Sequence, residues 1–186
     1  MIFFSKREIK QLFNSLVFIT FIFIIASKDY VFLNMIYNFI IYFIVLFFSF
    51  ILHELAHKIV AQKLGFQAEY FSNDKYSFIS ILFAFFGFIL ISPGAIHVKG
   101  YIQKKESALI SMAGPIINII IAIISYIYIN VTLFNFNIFR ISFLINSILA
   151  IFNLIPVNPF DGKKIYDSNK TIFVILMLIA FILNML

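Results

Sequence analysis

The chain has 186 residues, of which 63% are hydrophobic and only 12% are charged, and its formal net charge is +6. A soluble domain is nearer half apolar and a quarter charged, so this composition excludes an ordinary soluble domain and indicates an integral membrane protein. The absence of cysteine excludes disulfides and thiolate metal ligands. In so apolar a chain the positive charge indicates membrane orientation by cytoplasmic Lys and Arg, and we expect no nucleic-acid partner.

Six apolar segments follow one another along the chain, separated by short polar or Pro/Gly-containing breaks. They comprise residues 11–26, 31–64, 78–91, 107–130, 138–155 and 171–186. The first is short for a membrane span of roughly 20 residues, but its flanks can lengthen it. Gly65 is a plausible end for the second segment, and Pro156 prevents the fifth from continuing as regular helix.

The region between the second and fourth segments contains two stretches of different character. Residues 67–77 form a polar patch, and residues 95–100 resemble a short strand between glycines. We interpret Gly94 and Gly100 as turn residues. His97, in the middle of this stretch, is interpreted as a strand or interfacial residue rather than a metal ligand.

A His-Glu-x-x-His pattern at residues 53–57 lies near the end of the second segment. Positions i and i+4 share one face of a helix, so His53 and His57 can present two imidazoles to one metal ion. Glu54 would lie beside that metal, where it could take a proton from a bound water and pass it to a leaving amine. Such polar groups are costly in an apolar stretch, which favours a functional role.

A third protein ligand must lie at the same membrane depth as the histidines, and Asp161 is the candidate because it follows the fifth segment directly. An even number of crossings must then separate Asp161 from His57, so one of the three intervening segments must turn back. We expect this of residues 78–91, the shortest of the three, which ends at Ser-Pro-Gly. The alternative for Asp161 is a turn residue in an Asp-Gly corner.

The basic residues favour the same arrangement. With a cytoplasmic N-terminus and a re-entrant third segment, only Lys28 and Arg140 of the 14 Lys and Arg residues lie outside. The sequence therefore predicts an all-α polytopic membrane protein with about five transmembrane helices, plus a re-entrant segment with a short β-strand or hairpin. We expect a multi-pass protein of the cell membrane whose metal site lies toward the cytoplasmic side.

Two asparagines are candidates for further roles. Asn118 follows Gly114-Pro115, which suits the opening of the fourth helix, and its amide could stabilise negative charge on a substrate carbonyl oxygen. The alternative for Asn118 is an interhelical hydrogen bond. Asn153 is interpreted as a residue that caps or braces the helix end before Pro156, and a functional role for it stays open.

Three motifs, in this order, resemble those of the site-2 proteases, the intramembrane zinc metalloproteases of peptidase family M50. They are H-E-x-x-H at residues 53–57, G-P-x-x-N at 114–118 and N-x-x-P-x-x-x-x-D-G at 153–162. The resemblance covers roughly residues 31–165. It implies hydrolysis of a peptide bond within or next to a transmembrane helix of another protein, near the cytoplasmic face.

The resemblance also implies roles for individual residues. One zinc ion would be held by His53, His57 and Asp161, with Glu54 catalytic and Asn118 helping to hold the substrate. The partners implied are a transmembrane protein substrate and the lipid bilayer. Residues 1–186 are expected to form one transmembrane metalloprotease domain without a soluble regulatory domain, and the oligomeric state stays open. An unwound substrate segment could pair with the strand at residues 95–98.

The main alternative is a catalytically inactive membrane scaffold or chaperone that retains the metal site. The intact Glu54 argues against this alternative, because that residue is needed to accept a proton from water and not to stabilise the fold. A transporter would spread polar residues along a path, whereas here they cluster at one depth. Zinc proteases with a glutamate as third ligand are disfavoured because only Glu69 and Glu106 lie downstream, each in a polar loop.

Overall fold

The computed structural model describes residues 4–28, 31–86, 94–131 and 137–186, and helices dominate these ranges. In chain order the elements are α1 (Lys6–Ser27), α2 (Phe32–Lys63), β1 (Gln67–Ser72), α3 (Asp74–Phe85), β2 (Gly94–Lys99), α4 (Lys104–Val131), α5 (Asn137–Asn153), α6 (Asp161–Ser168) and α7 (Lys170–Met185). The expected mostly helical architecture with a short two-stranded element is therefore confirmed.

Among the described residues, three helices are long and apolar enough to cross a membrane: α1, α2 and α4. Helices α5 and α7 are apolar but shorter, with 17 and 16 residues. Local sequence fixes several helix ends. The Ser5 side chain caps α1 by accepting a hydrogen bond from the Glu8 backbone N–H, and Asn169 caps α7 through the Ile172 N–H.

Strands β1 and β2 pair antiparallel, with Gln67 opposite Lys99 and Ser72 opposite Gly94. The interpretation of Gly94 as a turn residue was wrong, because Gly94 lies within β2. A Cβ atom there would collide with the Phe71 carbonyl oxygen and the Tyr70 ring, so the close approach of the strands requires glycine. Gly100 has φ +118°, which fits the predicted turn.

The region after α2 differs from the sequence-based expectation. The predicted polar patch, residues 67–77, forms β1 and the first residues of α3. The third apolar segment was expected to begin at Phe78, but α3 begins at Asp74. The end of that segment and the Ser-Pro break after it, residues 87–93, lie outside the described residues.

Helix α4 also departs from its predicted form. Gly114-Pro115 was expected to open the fourth helix, but α4 begins at Lys104 and Pro115 lies inside it. Proline in a helix interior removes one backbone donor. In membrane helices that loss is tolerated because neighbouring groups satisfy the backbone.

The two larger of three buried apolar clusters among the described residues hold most of the helices together. One joins α1, α2, β1 and α5 through Leu16, Leu46, Tyr70 and Ile145, which are almost fully buried. The other joins α4, α5, α6 and α7 and includes Leu154 at the end of α5. The short α6, which the sequence analysis did not anticipate, is thus anchored against α4 and α7.

A buried ion pair connects the amino-terminal helix to the rest. Lys58 Nζ lies 2.7 and 2.5 Å from the two Glu8 carboxylate oxygens, and each residue is only 1% exposed. Glu8 also accepts a hydrogen bond from the Tyr70 backbone N–H at 3.0 Å. The carboxylate of Glu8 therefore ties together α1, α2 and β1.

Candidate active site

The two histidines of the His-Glu-x-x-His pattern lie one helical turn apart on α2 and face the same way. Their Nε2 atoms are 3.0 Å apart, and the residues are only 5% and 6% exposed. The helical spacing of the pattern thus produces the convergence of imidazoles that it predicted.

Asp161, the first residue of α6, lies beside this pair. Its Oδ2 atom is 3.6 Å from His53 Nε2 and 3.1 Å from His57 Nε2. Gly162 allows this placement, because a Cβ atom there would collide with the Leu154 carbonyl at the end of α5. Asp161-Gly162 therefore opens a helix whose first turn lies close against the backbone just after α5, rather than forming a simple loop corner.

The outward sides of both imidazoles are held by groups from α4. His57 Nδ1 lies 2.7 Å from the Ile110 carbonyl oxygen, and His53 Nδ1 lies 2.5 Å from Asn118 Oδ1. A backbone carbonyl can only accept, so His57 Nδ1 carries the proton and its Nε2 lone pair faces the site centre. Ligating histidines in proteins commonly donate their other ring N–H in this way.

The set of donor atoms fits a metal ion. His53, His57 and Asp161 offer ligand atoms that all lie within 4.8 Å of one another, and the described part of the chain contains no other group of this kind. Electron-rich atoms at such short range repel one another unless a proton or a metal cation lies between them. Two histidines and one carboxylate are typical of catalytic zinc sites.

Glu54 follows His53 on α2 and is buried, with 7% of its surface exposed. Its Oε2 atom has no hydrogen-bond partner among the described residues. A buried carboxylate oxygen without a partner is costly, and in native structures it commonly marks a functional group. The position beside the metal-binding atoms suits a proton acceptor.

These side chains open onto a cavity of about 480 Å³. Residues of β2 form part of its wall, and the wall also includes Asn153 and Lys164. His97 lies in β2, as predicted, and its side chain is on the cavity wall rather than in the group of metal-binding atoms. Asn153 Nδ2 donates to the Leu149 carbonyl oxygen, which fits the predicted bracing of the helix end.

Asn118 is fully buried behind His53 and is not among the residues that line this cavity. It contacts His53, Ser49 and Asn146 through hydrogen bonds. This placement does not support the predicted contact with substrate and favours the alternative, an interhelical hydrogen bond. The physical reason is that Asn118 lies on the α4 face that packs against α2 and α5.

The sequence analysis missed several residues that shape the site. Gly114 faces the imidazoles, and a Cβ atom there would collide with the rings of His53 and His57. Its place in the G-P-x-x-N motif could have indicated a steric role. Ile110 acts through its backbone carbonyl, which every residue type has, so the sequence could not indicate this role. Asn146 is a polar residue in an apolar helix, and that signal could have identified it.

Comparison with known proteins agrees with this geometry. The model of peptidase family M50 matches residues 41–136, which contain both histidines and Glu54 but not Asp161. A protein of Methanocaldococcus jannaschii provisionally named zinc metalloprotease MJ0611 is 36% identical over 192 residues. That match covers 98% of this chain and 96% of the relative.

Two further relatives cover smaller parts. Zinc metalloprotease MJ0392 of the same organism is 32% identical over 126 residues, 66% of this chain and 32% of that protein. The provisionally named zinc metalloprotease YwhC of Bacillus subtilis is 32% identical over 150 residues, 67% of each chain. No solved structure matches at a significant level. The full-length similarity, the family match and the two-histidine, one-carboxylate site together establish that the chain belongs to peptidase family M50 and is a zinc metalloprotease.

Proposed function

We propose that this protein is an intramembrane protease that hydrolyses peptide bonds within or next to transmembrane helices of other proteins, using one zinc ion. The observation that supports this most directly is the position of the metal-binding histidines inside α2. This apolar helix is long enough to cross a membrane. Because His53 and His57 lie near its carboxyl-terminal end, bonds close to one membrane face would reach the site most readily.

The residues of the chain divide the chemistry among them. His53, His57 and Asp161 would hold the zinc ion, which when bound lowers the pKa of a water and polarises the substrate carbonyl. Glu54 takes a proton from the attacking water while the oxygen of that water bonds to the carbonyl carbon. Glu54 then gives this proton to the amide nitrogen as the carbon–nitrogen bond breaks, which releases a carboxyl group and an amine.

A transmembrane substrate helix must unwind locally to expose a peptide bond. Strand β2 forms part of the cavity wall and, within the described residues, pairs only with β1. Its other edge therefore has backbone groups that could pair with an extended substrate segment. We propose that β2 holds the unwound segment beside the metal site.

The proposed membrane arrangement has five crossings, by α1, α2, α4, α5 and α7, with α3 re-entrant and the N-terminus in the cytoplasm. Helix α3 packs against α1, which suits an element that returns to the side from which it entered. The distribution of Lys and Arg supports the same orientation. The protein would lie in the cell membrane as a single domain with its site toward the cytoplasm.

A catalytically inactive scaffold that retains the metal site is the alternative function. Glu54 discriminates between the two, because a scaffold has no need for a buried carboxylate oxygen that lacks a hydrogen-bond partner among the residues the structure describes. Activation of a water by the site gives that oxygen a use. The observation favours the protease.

Substitution Glu54→Gln tests the proposed function. In proteoliposomes with single-span substrate proteins, the variant should keep wild-type zinc content but lose cleavage, because glutamine cannot accept the proton. Glu106→Gln, which makes the same change in charge outside the cavity wall, should cleave at the wild-type rate. Cleavage by Glu54→Gln at the wild-type rate would remove Glu54 from the mechanism, and zinc-loaded wild-type protein that cleaves none of the substrates would favour the scaffold.

A further inference from the structure

A line of buried polar side chains continues from His53 away from the metal-binding atoms. Asn118 of α4, Asn146 of α5 and Ser49 of α2 have no exposed surface, although all three helices are apolar. Asn118 Nδ2 lies 2.9 Å from Asn146 Oδ1, and Asn146 Nδ2 lies 2.8 Å from Ser49 Oγ. Polar groups at such depth are expensive unless every member is satisfied.

The direction of these hydrogen bonds is fixed at the far end by backbone carbonyls. Ser49 Oγ donates to the Val45 carbonyl oxygen at 2.8 Å, so it can only accept from Asn146 Nδ2. The same Asn146 nitrogen also donates to the Ser142 carbonyl oxygen at 2.8 Å. Both bonds require the amide nitrogen of Asn146 on that side, which leaves its oxygen toward Asn118.

The orientation of Asn118 follows from that of Asn146. Its Nδ2 group donates to Asn146 Oδ1 and, at 3.3 Å, to the Ser49 carbonyl oxygen. Both partners are acceptors, so the Asn118 amide cannot be reversed without losing both bonds. Its oxygen must therefore face His53.

The orientation of Asn118 in turn sets the tautomer of His53. Asn118 Oδ1 lies 2.5 Å from His53 Nδ1 and can only accept, so Nδ1 carries the ring proton. The Nε2 lone pair then faces His57 and Asp161. This is the form in which an imidazole binds a metal through Nε2.

We propose that Asn118 and Asn146 are positioning residues that hold His53 in its metal-binding tautomer through this one-directional hydrogen-bond chain. The carbonyl oxygens of Val45, Ser142 and Ser49 determine the direction of this hydrogen-bond chain. As a consequence, the lone pair of His53 Nε2 faces the metal site. Asn146 thus acts on the metal site although it does not contact His53. The proposal rests on the proposed function only in taking zinc as the metal.

The test measures zinc affinity and histidine tautomer in two variants of nearly unchanged volume. Asn118→Leu removes the acceptor for His53 Nδ1, and zinc affinity in competition with a chelator should fall about 10- to 100-fold. Asn146→Leu removes one of the two bonds that orient Asn118, and affinity should fall about fivefold, as expected for one neutral hydrogen bond.

Nuclear magnetic resonance of ¹⁵N-labelled histidine reports the tautomer directly in zinc-free protein. The chain has only 3 histidines, and His97, which has no part in the chain of hydrogen bonds, is an internal reference. Wild-type His53 should show Nδ1 protonated, and Asn118→Leu should show a mixture of the two tautomers. Asn146→Leu should lie between them.

Asn184→Leu is the matched control for a purely structural effect. Asn184 of α7 donates to the Ser147 carbonyl oxygen of α5 at 2.9 Å, so it is an interhelical asparagine without a connection to His53. Its replacement can lower stability but should leave zinc affinity and the His53 tautomer unchanged. A fall in zinc affinity in this control as large as in Asn118→Leu would overturn the positioning role.

The results separate this proposal from the proposed function. Wild-type protein and both variants with equal zinc affinity and the same His53 tautomer would overturn the hydrogen-bond chain and leave the protease assignment intact. Wild-type protein without stoichiometric zinc would overturn the proposed function. The tautomer measurement in zinc-free protein would still support or overturn the hydrogen-bond chain by itself.

Discussion

Gly114 contributes to the site at the scale of a single residue by lacking a side chain. The imidazoles of His53 and His57 occupy the space that a Cβ atom at position 114 would need. Interiors as densely packed as this have few ways to relieve such a collision. The glycine therefore allows α4 to approach α2 closely enough for Ile110 and Asn118 to reach the two Nδ1 atoms.

Gly114→Ala should displace both imidazoles and lower zinc affinity at least about tenfold, the range seen when groups that hold metal ligands are lost. Chelator competition on the purified protein measures this. Ile116→Ala, at a site 37% exposed on the same helix, should have no effect on zinc affinity. Unchanged zinc affinity in Gly114→Ala would contradict the close-packing role.

Residue-scale prediction from the sequence succeeded where spacing alone determines geometry. The i, i+4 relation brings His53 and His57 together in any α-helix, and crossing parity was enough to suggest that Asp161 returns to them. It did not determine the surroundings of Asn118, since a polar residue near a site can face the cavity or a neighbouring helix. Which face of α4 packs on α2 depends on tertiary contacts that no local pattern records.

At the scale of helices and strands, the ion pair between Glu8 and Lys58 fixes neighbouring elements relative to one another. Lys58 directly follows His57, and Glu8 also binds the backbone of β1 at Tyr70. This one carboxylate therefore sets α1 and the two-stranded sheet against the helix that carries the histidines. A buried pair of this kind is costly to break from one side, because the remaining charge stays buried.

Lys58→Met should destabilise the protein by about 3–5 kcal/mol, because it leaves the Glu8 carboxylate without its cation. Chemical unfolding in detergent micelles with chelator present measures this without a contribution from zinc. Asp167→Asn, which breaks the exposed pair with Lys163, should change stability by less than about 1 kcal/mol. If the two substitutions lower the free energy of unfolding equally, the buried pair contributes no more to stability than the exposed pair.

Elements differed in how far the sequence could predict them. Long apolar runs predicted the cores of α1, α2, α4, α5 and α7, because uninterrupted apolar residues are typical of membrane helices. Strand β1 was missed, although the alternation of polar Gln67 and Glu69 with Ala68 and Tyr70 is typical of a strand. Helix α6 has only 8 residues, and packing on its neighbours stabilises it rather than any periodicity of its own.

The arrangement of the whole molecule in the membrane rests on an even number of crossings between His57 and Asp161. The structure brings these residues together, so in the proposed arrangement the chain returns to the same depth. We propose that the short α3 is the element that turns back. Lys58 is neutralised by Glu8, so the remaining Lys and Arg residues, nearly all of them on the proposed inner side, provide the bias in charge.

Single cysteines can test this topology because the chain has none of its own. A cysteine introduced by Lys104→Cys at the start of α4 should react with a membrane-impermeant thiol reagent only from the cytoplasmic side. Lys28→Cys, after α1, should react only from the outside. Reaction of Lys104→Cys from outside would show that the chain crosses the membrane between α2 and α4.

The central claim is that a carboxylate from α6 joins two imidazoles of α2 around one zinc ion. Anomalous diffraction at the zinc absorption edge, from crystals of zinc-loaded protein, tests it most directly. We expect one peak at about 2.0–2.2 Å from the Nε2 atoms of His53 and His57 and from an Asp161 carboxylate oxygen. A peak elsewhere, or one that Asp161 does not reach, would contradict the account.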